Sequence, residues 1–183
     1  MKITEDLYYY EEVLDNQFCH ELFNESLTKF NNGEACWASN YFWNGPLTKD
    51  THPIFIRDIE GETKHRILET LRQKEMIVES DDYYSVMNYV ATRLSYIPWH
   101  NDIPYKEGLT IYLNPEWFED WGGIYLYKPV KESNLVSGFI PKFNTAIKNT
   151  GGGTTKGVDH TVTLVSLASQ CPRISIQIFP KVK

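Results

Sequence analysis

The chain has 183 residues, 42% of them hydrophobic and 14% aromatic, which suits one packed domain and excludes a disordered chain. A net charge of −6 argues against a nucleic-acid binder that works by neutralising phosphates. The acidic opening "MKITEDLYYYEEVLD" lacks the apolar core of a signal peptide, and no apolar run approaches the roughly 18 residues needed to cross a membrane. Cys19, Cys36 and Cys171 are odd in number and unclustered, so reduced thiols and a soluble, cytoplasmic protein are expected rather than a disulfide framework or a zinc site.

In chain order, "VLDNQFCHELFNESLTKF" predicts a helix capped by Asp15 or Asn16, with Phe18, Leu22, Phe23, Leu27 and Phe30 on one apolar stripe. Residues 34–58 read as loops and short extended pieces around a turn at Asn44, Gly45 and Pro46. "GETKHRILETLRQKEMI" predicts a second helix that buries Ile67, Leu68, Leu71 and Met76. After residue 80 the pattern becomes β-branched and aromatic. "DDYYSVMNYVATRLSYI", "GLTIYLN", "GIYLYKP", "FNTAIKN", "HTVTLVSL" and "PRISIQIFP" are the expected strands. Two helices followed by many short strands give a mainly β, α+β arrangement, with residues 1–80 as helical support and 81–183 as a β core within a single domain. "NTGGGTTKG" at 149–157 fails the phosphate-loop pattern, because no Ser or Thr follows Gly157, and reads as a connection.

The chemistry centres on "YIPWHNDIPY", residues 96–105. If this is strand, His100 and Asp102 face the same way, with Pro98 and Pro104 marking its ends. They are either a hydrogen-bonded pair at a strand end or two metal ligands. The second reading demands a third ligand, and His160, opening "HTVTLVSL", is the candidate, although it could equally be a capped histidine at a strand start. His20, His52 and His65 lack partners at ligand spacing. Two histidines and one carboxylate form the facial triad that binds Fe(II) and leaves open positions. The lack of a cysteine ligand argues against structural zinc. Arg173 follows His160 by thirteen residues and shares a strand face with Ser175. An inward guanidinium needs a partner, either a protein carboxylate or the carboxylate of a ligand.

The order His100-x-Asp102, His160, Arg173-x-Ser175 resembles the 2-oxoglutarate- and Fe(II)-dependent oxygenase superfamily. Residues 83–180 are most similar to its prolyl hydroxylase-like branch. "TIYLNPEWFEDWGGIYLY" resembles the strand, turn and paired glycines after the metal strand. "IPKFNTAI" resembles the segment before the distal histidine, "HTVTLV…PRISI" the histidine and arginine strands, and "YEEVLDNQFCHELF" the opening helix.

The resemblance implies a double-stranded β-helix, a cupin-like jelly-roll with the metal at its open end. It implies His100, Asp102 and His160 as Fe(II) ligands and Arg173 as partner of the C5 carboxylate of 2-oxoglutarate. Ser175 would assist, and Tyr112 and Tyr89 match tyrosines of the co-substrate pocket; Tyr112 is otherwise a core tyrosine. The implied reaction consumes 2-oxoglutarate and O2 and hydroxylates a prolyl or similar residue of a peptide or protein. Alternatives are a small-molecule target such as a free amino acid, or a non-catalytic jelly-roll binding module. "NTGGGTTKG", or residues 40–52 with Trp43, is the expected lid. Trp99, Trp117 and Trp121 read either as a peptide groove or as packing. Ile124 stands where relatives often carry an acidic residue, and the His160–Arg173 spacing is longer than in some members, which leaves the substrate open.

Overall fold

The computed structural model describes residues 1–34, 38–39, 52–102, 105–130, 134–150 and 158–181. In chain order the elements are β1 (Leu7–Tyr10), α1 (Asn16–Asn31), β2 (Ala38–Ser39), β3 (Ile54–Asp58), α2 (Gly61–Gln73), β4 (Tyr84–Ala91), β5 (Ile97–His100), β6 (Gly108–Tyr112), β7 (Tyr125–Tyr127), β8 (Ser137–Phe139), β9 (Thr145–Asn149), β10 (His160–Val162) and β11 (Arg173–Pro180). They form a seven-stranded sheet ordered β1-β9-β6-β11-β4-β3-β2 and a four-stranded sheet ordered β5-β10-β7-β8. Every named strand pairing is antiparallel. This is the expected mainly β jelly-roll with flanking helices.

The two helices form because each has one apolar face and a sheet to bury it on. Asp15 caps α1 by accepting from the Phe18 amide at 3.0 Å. Phe18, Leu22, Ile67, Leu68 and Leu71 then enter a cluster with Val86, Ile111, Ile174 and Ile176 on the outer face of the larger sheet. Phe23, Leu27 and Phe30 are only partly buried against it. Asn144, held at φ +56°, locks the helix to the sheet. Its amide oxygen accepts from the Leu14 amide, and its amide nitrogen donates to the Leu14 carbonyl and to Asn16.

A second cluster fills the space between the sheets. Leu7, Ile54, Tyr112 and Ile147 come from the larger sheet, and Ile97, Tyr125, Tyr127 and Val162 from the smaller. The residues of β11 alternate between these clusters: Ile174, Ile176 and Ile178 face the helices, while Arg173, Gln177 and Phe179 face the inter-sheet pocket.

Residues 1–80 supply strands as well as helices. "LYYY" pairs with β9, and "IFIRD", which sits in the stretch read as loop, pairs with β4. Neither shows the alternation that announces a half-buried strand; their faces are set by the partner strands. Pro98 lies inside β5 rather than at its end, on an edge of the smaller sheet where a missing amide is tolerated. Pro104, the glycines of "NTGGGTTKG" and residues 40–51 with Trp43 fall outside the described residues, so both expected lids do too, except at their ends. No helix among the described residues is long and apolar enough to cross a membrane.

Candidate metal centre and anion anchor

His160 opens β10 and pairs directly across the smaller sheet with His100, the last residue of β5. This pairing brings the two imidazoles to 4.1 Å between ring centroids. Asp102 does not share a strand face with His100. It lies past the strand end at φ +52°, a left-handed conformation that short polar side chains tolerate, and this bend swings its carboxylate between the rings. His100 Nε2 lies 3.3 Å from Asp102 Oδ1, and His160 Nε2 lies 3.4 Å from Oδ2. One ligand atom from each of the three lies within 4.8 Å of the others, and this is the one such His/Cys/Asp/Glu group among the described residues.

The orientation suits metal binding. His100 Nδ1 lies 2.7 Å from the Pro98 carbonyl, and His160 Nδ1 lies 2.9 Å from the Val158 carbonyl. A carbonyl only accepts, so each Nδ1 carries the proton and each Nε2 presents a lone pair. Burial pushes the His160 imidazole below its ordinary pKa, with His100 adding to the effect, which keeps it neutral. Burial opposes ionisation of Asp102, but in the metal-free chain an imidazole that takes a proton onto Nε2 faces the carboxylate, and the hydrogen bond and charge it then offers outweigh burial and hold the carboxyl below the usual range. Two neutral nitrogens and a carboxylate oxygen are the donor set that fits Fe(II).

The cleft that starts at this trio also reaches Arg173. Arg173 is 2% exposed, its guanidinium sits over the Tyr112 ring at 4.9 Å from its centroid, and its Nε and Nη2 have no hydrogen-bond partner among the described residues. Burial lowers its pKa, with Tyr112 acting against the shift. Burial likewise pushes the Tyr112 phenol up, and the guanidinium pulls it back.

The anchor is built by its neighbours. The Asn114 side chain accepts from the Ile174 amide at 2.7 Å and donates to the Pro172 carbonyl at 2.9 Å, gripping the backbone on both sides of Arg173. Gly123, at φ +62°, gives Arg173 room, because a Cβ there would stand 2.7 Å from Arg173 Cδ. The Trp117 indole donates to the Gly122 carbonyl and closes the same turn, with Trp121 packed edge-on against it. Trp99 is half exposed, with the Lys128 ammonium over its ring.

Tyr89 lines the cleft, and burial raises its phenol well above the ordinary value. Ser175 is fully buried, with its hydroxyl 3.5 Å from Gln177 Nε2. Tyr125, Thr110, Gln177, Asn149 and Phe179 also line the cleft and were missed by the sequence reading. Continuing the alternation from Arg173 through Ser175 would have reached Gln177 and Phe179, and stepping back from Tyr112 would have reached Thr110. Nothing in the sequence marked Asn149.

No protein-family model matches this chain, and no curated protein does. Solved structures share its fold. A Pseudomonas putida prolyl-4-hydroxylase is 13% identical and aligns over 97% of this chain and 93% of its own, with a TM-score of 0.68. A Trichoplax adhaerens prolyl hydroxylase, solved with a hypoxia inducible factor oxygen degradation domain peptide fragment, is 16% identical over 97% and 84%, at 0.69. The non-heme alpha ketoglutarate dependent epimerase SnoN from nogalamycin biosynthesis is 10% identical over 95% and 77%, at 0.66. At these identities the likeness is one of fold.

Proposed function

We propose that this chain is a single-domain Fe(II)- and 2-oxoglutarate-dependent dioxygenase that hydroxylates a prolyl or similar residue of a peptide or protein. The observation that carries the reading is one cleft holding, at one end, three ligand atoms within 4.8 Å of one another and, at the other, a buried guanidinium with two nitrogens unpartnered among the described residues. His100, Asp102 and His160 would hold Fe(II). Arg173, with Tyr112, would pair with the distal carboxylate of 2-oxoglutarate. Tyr89 would close the wall of the co-substrate pocket, with Ser175 supporting it from the same strand face as Arg173.

When bound, Fe(II) and 2-oxoglutarate supply the oxidising chemistry, in which O2 is consumed and a substrate C–H becomes C–OH. The chain's own part is positional. The Pro98 and Val158 carbonyls fix both imidazoles with Nε2 inward, so the metal site is formed before the metal arrives. Asp102 stays ionised and brings the negative charge that a divalent cation needs. Ile97, Ile147 and Val162 line the same cleft and give it an apolar wall that would help exclude water. Arg173 sets the orientation of the dicarboxylate by binding the end away from the metal.

The prolyl preference rests on the fold shared with two prolyl hydroxylases, one of them solved with a peptide. A small-molecule target is the second reading, favoured by the same fold in an epimerase of nogalamycin biosynthesis. The free thiols of Cys19 and Cys171 suit a reducing compartment, and we place the protein in the cytoplasm.

The test is an anaerobic titration with Fe(II) and 2-oxoglutarate, following the visible metal-to-ligand charge-transfer band. Wild type should show the band and His160→Ala should not. Iron bound without a band, or the same band in the variant, overturns the assignment. Proline-containing peptides that gain one oxygen by mass, in a 2-oxoglutarate-dependent way, would then separate the prolyl reading from the small-molecule one.

A further inference from the structure

Tyr125 carries a hydroxyl whose place in the cleft has no use in the free protein. The residue is 5% exposed, it lines the cleft, and its Oη has no hydrogen-bond partner among the described residues. Leaving a phenol buried and unbonded is costly, so such a group marks a partner absent from the chain itself.

Its position says which partner. The Tyr125 ring lies nearly parallel to the His160 imidazole, with centroids 5.0 Å apart and an interplanar angle of 20°. It therefore lies beside a metal-binding imidazole in the same cleft that Asp102 and Arg173 line. Along this one cleft, three buried polar atoms lack partners among the described residues: Tyr125 Oη, Arg173 Nε and Arg173 Nη2. All three can donate, and an ionised carboxylate only accepts, with about four lone-pair sites on each. A ligand with two carboxylates is the complement of such a row, whereas an amide or an alcohol would bring donors of its own.

We propose that Tyr125 is a further co-substrate-binding residue, its Oη donating a hydrogen bond to a carboxylate oxygen of the bound 2-oxo acid. The proposal rests on the dioxygenase reading above. It adds to Arg173 and Tyr112 a donor from the opposite, four-stranded sheet, so the 2-oxo acid is gripped from both walls of the jelly-roll. β7, which carries Tyr125, pairs with β10, which carries His160, so the metal ligand and this donor are held in one register.

The test is Tyr125→Phe, which keeps the ring against His160 and removes only the hydroxyl. Three quantities are measured: the melting temperature of the metal-free protein, Mn(II) affinity, and 2-oxoglutarate affinity of the Mn(II) form by thermal shift under non-turnover conditions. The variant should melt no lower than wild type, because an unbonded buried hydroxyl is gone. It should bind Mn(II) equally well and 2-oxoglutarate about tenfold to a hundredfold more weakly.

A lower melting temperature with unchanged 2-oxoglutarate affinity would make Tyr125 a structural hydroxyl and overturn the inference. Weaker Mn(II) binding that alone accounts for the loss would overturn it too, assigning the effect to His160. If wild type itself shows no 2-oxoglutarate-dependent shift, the dioxygenase reading falls. If wild type shifts and Tyr125→Phe shifts identically, that reading stands and only this inference falls.

Discussion

The two ends of the cleft are built on opposite principles. At the metal end the polar groups face one another: each imidazole has its Nδ1 on a carbonyl and its Nε2 3.3 or 3.4 Å from the carboxylate between them. Such a trio can satisfy itself without a ligand by taking protons onto Nε2. At the anchor end Arg173, at 2% exposure, has Nε and Nη2 unpartnered among the described residues. A buried charge in that state costs the fold several kcal/mol, about the size of a whole stabilising network. The chain keeps it there with dedicated devices, the Asn114 clamp and the Gly123 groove. The comparison teaches that a ligand-shaped deficit is the stronger mark of function, since a His–Asp–His cluster that can satisfy itself can be structural while a buried guanidinium with unmet donors calls for an anionic partner.

The comparison breaks most visibly at Arg173. Arg173→Met keeps much of the apolar stem and removes the charge. The 2-oxoglutarate requirement should rise by about two to three orders of magnitude, as for truncating one partner of a buried charge pair. The metal-free protein should be as stable as wild type or more so, by about 1–4 kcal/mol, and metal binding should persist. Calorimetry of both forms with and without 2-oxoglutarate measures all three. Loss of folding would instead make Arg173 one half of a structural ion pair.

A smaller effect isolates the scaffold of the anchor. Gly123→Ala puts a methyl 2.7 Å from Arg173 Cδ and an L side chain at φ +62°. The left-handed conformation alone should cost about 1–2 kcal/mol of stability. The displaced guanidinium should weaken 2-oxoglutarate binding while Mn(II) binding stays unchanged. Equal loss of both ligands would mean that the two ends are not independent and that the turn supports the whole cleft.

These residues also show what the sequence could express. The ligand trio was legible because His-x-Asp, a distal histidine and a following arginine keep their order whatever the loops do. The core faces of both helices and the strands of residues 84–91 and 173–180 were legible because their periodicity is local. The route by which Asp102 reaches the imidazoles was not, since its positive φ comes from the chain leaving β5 and not from a strand pattern. Nor were β1 and β3, whose inward faces are chosen by β9 and β4. Tyr125 was hidden for a similar reason. In "GIYLYKP" both tyrosines alternate inward, and only the register with β10 says which ring lies along His160 and which pairs beside it.

The smallest expected effect separates the ends by titration. Burial first, and then His100, hold the His160 pKa in the folded protein below its unfolded value of about 6.5. Above that pH both states carry His160 neutral, and its contribution to stability is fully present. As pH falls below it, the unfolded chain takes up the proton more readily, so stability is lost. Asp102, held below the usual carboxylate range, acts in the same direction but only as pH falls below about 3.9. Arg173 stays charged throughout this range and contributes no slope. Metal-free wild type should therefore lose melting temperature more steeply than His160→Gln between about pH 7 and about pH 5. Mn(II), which needs the neutral imidazole, should bind wild type progressively more weakly over the same interval. Parallel melting curves would show that protonated His160 is accommodated by Asp102 at no cost, and the metal end would then be a charge pair first and a metal site second.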